Sequence, residues 1–103
     1  MKRAVLTISL LFAAALPALA QEYETQMKDR THGCRSPEET YRFWSLARHD
    51  KEAAARYSNE KGCRVFTKGE TVSIVERDVF AKINGVRPKG EKIVYFVPAA
   101  DAN

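Results

Sequence analysis

CRSPEETYRFWSLARHDKEAAARYSNEKGC, residues 34–63, begins and ends on the only two cysteines of the chain, Cys34 and Cys63. Its start carries a strong helix signal. Ser36 suits the N-cap, Pro37 the first helical position, and Glu39 completes a Ser-x-x-Glu capping box. Glu38 and Glu39 also suit the positive end of a helix dipole. Thr40, Phe43, Trp44 and Ala47 follow at helical spacing and mark a buried face. The helical signal runs on to about Tyr57, with Gly62 as a terminator. One straight helix from Ser36 to Lys61 would be about 37 Å long. A disulfide between its ends requires Cα atoms within about 7 Å. The two cannot coexist, so a bonded pair forces a reversal. Arg48-His49-Asp50 is the expected bend, with Asp50 capping a second helix over Lys51–Asn59. Ala53, Ala54 and Ala55 are small enough for the helices to approach closely.

The pairing itself follows from what precedes the hairpin. Lys2 and Arg3, an apolar run from Val5 to Ala15, Pro17 and the small-x-small Ala18-Leu19-Ala20 occur in the order of a secretory signal peptide. The run is shorter than the roughly 20 residues a membrane-spanning helix needs. Residues 1–20 are therefore expected to be cleaved near Ala20, leaving 83 of the 103 residues in the periplasm or outside the cell. No later stretch is apolar enough for stable membrane insertion. An even cysteine count in a small exported domain reads as a disulfide, the alternative being two free buried thiols. Cleavage also lowers the net charge from +4 to +2. With its charges interspersed, the remainder lacks the dense basic stripe that nucleic acid requires.

Residues 21–33 are polar and aperiodic and are expected to be a flexible leader. Residues 34–103 then form one domain. After Cys63 the pattern becomes one of short strands. These are Arg64–Thr67, Thr71–Arg77 with Val72 and Ile74 on one face, and Lys92–Val97 with Ile93, Tyr95 and Val97 alternating, while Val79–Ile83 is a third apolar stretch between them. Turns are expected at Lys68-Gly69-Glu70, at Asn84-Gly85 as a type I′ hairpin, and at Pro88-Lys89-Gly90-Glu91. Pro98 ends the last strand, and Ala99–Asn103 reads as a loose turn.

The runs Gly62-Cys63-Arg64-Val65-Phe66-Thr67-Lys68-Gly69-Glu70-Thr71-Val72, Val86-Arg87-Pro88-Lys89-Gly90-Glu91 and Tyr95-Phe96-Val97 resemble the SH3-like domains of small exported bacterial proteins. Tyr95-Phe96 stand where many of those have a tryptophan. The resemblance implies an α+β fold in which the helical hairpin, 34–62, leads into a small SH3-like antiparallel β-barrel over 63–98. It also implies a binding role toward peptides or cell-wall components.

Little points to chemistry. His32 lies beside Cys34, but a bonded Cys34 offers no thiolate. His49 falls in the bend. The carboxylate pairs Glu38-Glu39, Asp50/Glu52 and Glu76/Asp78 fit helix starts and strand ends. Two separated histidines and a bonded cysteine pair do not supply the three or four converging ligands of a metal site. No catalytic residue, metal or cofactor is expected. The aromatics are numerous, and a surplus patch marks a contact surface. Phe66, Tyr95 and Phe96, with Arg64 and Arg87 as polar neighbours, are the expected binding residues. The expected function is a non-catalytic binding module of the cell envelope. Its partner is a peptide, a wall component or another exported protein. The alternative is a periplasmic inhibitor or immunity protein blocking an envelope-attacking enzyme.

Overall fold

Helix α1, Pro37–His49, starts where the local chemistry directs. Ser36 is extended, and its Oγ accepts the Glu39 N–H at 3.1 Å. Only this half of the capping box forms, because the buried Oε1 of Glu39 has no hydrogen-bond partner. Asp50 then serves both helices. Its N–H donates to the Leu46 carbonyl at 2.7 Å, and its carboxylate accepts the Ala53 N–H at 3.1 Å. One extended residue thus ends α1 and starts α2, Lys51–Lys61. Gly62 closes α2 at φ 68°, a left-handed conformation that glycine adopts without Cβ strain. Cys63 follows directly and is bonded to Cys34, with the Cα atoms 4.1 Å apart. The reversal at residue 50 and the covalent clamp are as the sequence requires.

The structure, a computed structural model, describes residues 22–103. The signal peptide expected over residues 1–20 lies outside the described residues. The described residues form an α+β fold, with two helices and antiparallel strands. The strands are β1 (Tyr23–Gln26), β2 (Thr31–Gly33), β3 (Arg64–Phe66), β4 (Thr71–Asp78), β5 (Ile83–Pro88) and β6 (Tyr95–Pro98). A four-stranded sheet runs β1-β4-β5-β6, and β2 pairs with β3 in a separate ribbon. An antiparallel bridge between Cys34 and Phe96 links the ribbon side to β6. Thr40 fixes α1 at the same point. Its hydroxyl donates to the Phe96 carbonyl at 2.7 Å and accepts the Cys34 N–H at 3.1 Å.

Four expectations are corrected. First, the flexible leader expected over 21–33 holds two strands among its described residues, β1 and β2. Gln26 pairs with Thr71 and Thr31 with Phe66. Between the strands, Met27 exchanges main-chain hydrogen bonds with Gly69 and Glu70, and its side chain is buried. Second, Asn84-Gly85 lies inside β5, not in a turn. The Asn84 amide donates to the Ala102 carbonyl at 2.7 Å in the interior. A Cβ on Gly85 would meet the Phe96 ring at 3.1 Å and Val94 at 3.2 Å, so glycine serves close approach here. The reversal occurs at Val79–Lys82. Asp78 Oδ1 accepts the Ala81 N–H at 2.9 Å, and Lys82 takes a left-handed φ of 57°. Third, the last strand begins at Tyr95, and Ile93 is exposed. Fourth, the tail is packed, with Ala102 fully buried and Lys28 donating its N–H to the Asp101 carbonyl at 2.8 Å.

The main core gathers Met27, Phe66, Val72, Ile74, Val86, Tyr95, Val97 and Ala102. A smaller one under the hairpin holds Cys34, Phe43 and Ala54, with Trp44, Leu46, Ala47, Tyr57 and Cys63 packed against it. The expected buried face of α1 is the one that builds this second core.

Candidate binding surface

The expected binding residues do not assemble into an exposed patch. Phe66 is 0 % exposed and Tyr95 8 %, and both belong to the main core, edge to face with ring centroids 5.7 Å apart. The pleat turns them to the inward side of β3 and β6, where the core needs ring volume. Phe96 is half-buried. The Arg64 guanidinium lies 4.6 Å from the Phe66 ring centroid and covers it. It is held there by Glu70 at 2.7 Å and Glu91 at 3.2 Å. Its hydrogen bond to Glu70, with the charges of both carboxylates, raises its pKa against the opposing effect of burial. Burial alone would raise the Glu70 carboxyl. Hydrogen bonds from Arg64 and the Thr67 N–H, with the Arg64 charge, outweigh it and hold the group below its ordinary range. Arg87 is paired with Glu22. The two arginines thus tie strands together.

The outward apolar groups lie elsewhere. At the β4–β5 tip Val79 is 80 % exposed and Phe80 98 %. The sequence reads this segment as an apolar stretch, with the turn expected after it at Asn84-Gly85. The signal against that was Asp78, whose carboxylate is three residues from Ala81 and favours a local turn over a ladder.

A second feature is a groove of about 420 Å³ between β2 and the two helices, lined by His32, Phe43, Trp44, Ala47, Ala54 and Ala55, with Arg30 and Lys51. The His32 ring stacks on Phe43 with centroids 4.3 Å apart, and Trp44 stands edge-on to both rings. Cys34 is oxidised, so no thiolate is available beside His32. Among the described residues, no three His, Cys, Asp or Glu side chains converge as metal ligands.

Burial, and then the charge of Arg30, lower the His32 pKa below its ordinary value of 6.5. The folded state therefore binds this proton less readily than the unfolded chain. The contribution to stability is complete above pH 6.5 and declines as the pH falls through 6.5 toward the depressed folded value. The urea midpoint of the protein is expected to drop between pH 7.5 and pH 5. In His32→Phe, which keeps a ring against Phe43, the drop should be smaller. An equal drop in both proteins would assign the effect to other groups.

No family model, curated protein or solved structure matches the chain.

Proposed function

We propose that the chain is a non-catalytic binding module of the bacterial cell envelope, working after export and built as a hairpin on an SH3-like barrel. Its partner is a peptide, a wall component or another exported protein. The disulfide supports the compartment, because such bonds persist where the surroundings are oxidising. The observation that carries the reading is Phe80, 98 % exposed beside Val79 on a hairpin tip. Burying a phenylalanine side chain is favourable by roughly 1.5–3 kcal/mol, and this fold leaves that gain unused. A ring on a constrained turn suits the central anchor of an interface, since little freedom is lost when it docks.

The test places a photo-crosslinking amino acid at position 80 and, as a control, at Lys89 beyond the far end of β5. Cells exporting each variant are irradiated, and each purified protein is separately sedimented with peptidoglycan. Adducts or wall binding that require Phe80 and are indifferent to position 89 support the reading. Phe80→Ala should abolish that binding without moving the melting temperature. Equal reactivity at both positions, or binding unchanged in Phe80→Ala, refutes it.

The projecting tip also favours the inhibitor reading, since a clamped apolar turn can enter an enzyme's cleft. In that case the adduct is a single wall-degrading enzyme, inhibited stoichiometrically, and bare peptidoglycan is left alone.

A further inference from the structure

We propose that the groove between β2, α1 and α2 is a second site, for a small carboxylic acid with a flat apolar body. It is separate from the β4–β5 tip and does not depend on the reading of that tip. The volume, about 420 Å³, lies in the range of small-molecule pockets. Space exists because Ala47, Ala54 and Ala55 line the interhelical side with methyl groups alone. His32, Phe43 and Trp44 supply aromatic surface on the other side, already stacked and edge-on to one another. A flat ring extends that stack with no rearrangement of the helices.

Charge selects the ligand's other end. The only charged side chains lining the groove are Arg30 and Lys51, both cations. The ion pairs of the described residues are Arg64 with Glu70 and Glu91, and Arg87 with Glu22, so neither cation is engaged. Two cations against an otherwise apolar lining fit one compact anionic group. A polyanion would set its further charge against ring carbon and methyl groups, at a desolvation cost. Thr31 also borders the groove, but β2 alternates and its side chain shares the inward face with Gly33. Its unpartnered hydroxyl is therefore not counted among the donors.

Trp44 is the only tryptophan of the chain and lines this groove, so its emission responds to a ligand there; it also borders a smaller pocket with Tyr41, Lys82 and Ile83, from which Ala55→Leu distinguishes the groove. The experiment titrates the oxidised protein with 3-phenylpropanoate, 3-phenylpropanamide and 3-phenylpropylamine. The acid should produce a saturable change in Trp44 emission at a concentration about tenfold lower than the amide, the advantage of a charge-assisted contact. The amine should give none. Ala55 is exposed on α2, so Ala55→Leu fills the groove without entering the core and should abolish the response. Lys51→Ala should weaken the acid by about tenfold and leave the amide unchanged. Far-UV circular dichroism and thiol titration confirm that each variant is folded and oxidised. No saturable response to the acid, equal affinity for acid and amide, or an unaltered response in Ala55→Leu overturns the proposal.

Discussion

Replacing Cys34 and Cys63 together by serine is expected to lower stability by about 3.6 kcal/mol, the chain-entropy value for a bond across 29 positions. That is a large share for so small a fold, since a core of this size contributes only about 3–5 kcal/mol net. The loss should fall first on the hairpin. At 13 and 11 residues, α1 and α2 are both too short to persist in isolation. Within the hairpin only Phe43 and Ala54, besides Cys34, are fully buried apolar groups. What then holds it is Thr40 and the Cys34–Phe96 bridge, both at the start of α1 next to the severed bond, with the His32 stack on Phe43 one turn further on. Helical ellipticity should therefore be lost at a lower temperature in the serine variant than in the oxidised protein. The reduced wild type should behave as the variant does. Coincident melting curves for oxidised and reduced protein would show that the bond is dispensable and that the strands alone fix the hairpin.

The hairpin was legible in the sequence because each of its signals acts over a few residues. Ser36-Pro37, Asp50 and Gly62 each satisfy main-chain groups of their own helix end, and no distant contact can easily override them. The cysteine pair added the single long-range constraint. Strand β1 offered no such cue. Three of its four residues are exposed, and its stability comes from main-chain pairing with β4, whose partner residues lie 45 or more positions ahead. A polar segment whose partners are remote looks the same as a loose one. Asn84-Gly85 misled for the converse reason. Its local preference for a turn was outweighed by an amide bond to the Ala102 carbonyl and by the need for space beneath Phe96. The candidate site failed in the same way. Phe66 and Phe80 are the same residue type in short apolar runs, and only tertiary pairing decides which one faces inward.

That last distinction gives the second large effect. Phe66→Ala is expected to cost about 3–5 kcal/mol, the range for removing a fully buried aromatic side chain. The ring is 0 % exposed, meets Tyr95 edge to face at 5.7 Å, and lies under the Arg64 guanidinium. Its neighbours have little freedom to fill the space. Gly33 already brings main chain so close that an added Cβ would meet the ring at 3.0 Å, and Arg64 is tethered to Glu70 and Glu91. Truncation also frees Arg64 from the face it covers, so the ion pairs joining β3 to the following turns lose a wall. Against a net stability of a few kcal/mol, most of the variant should be unfolded at 37 °C, with near-ultraviolet circular dichroism lost. Phe80→Ala, by contrast, should change stability by no more than about 0.5 kcal/mol, as expected of a solvated position. Chemical denaturation of the two variants side by side reads the difference directly. A Phe66→Ala protein that stays folded but loses its partner would return Phe66 to the contact surface and remove it from the core.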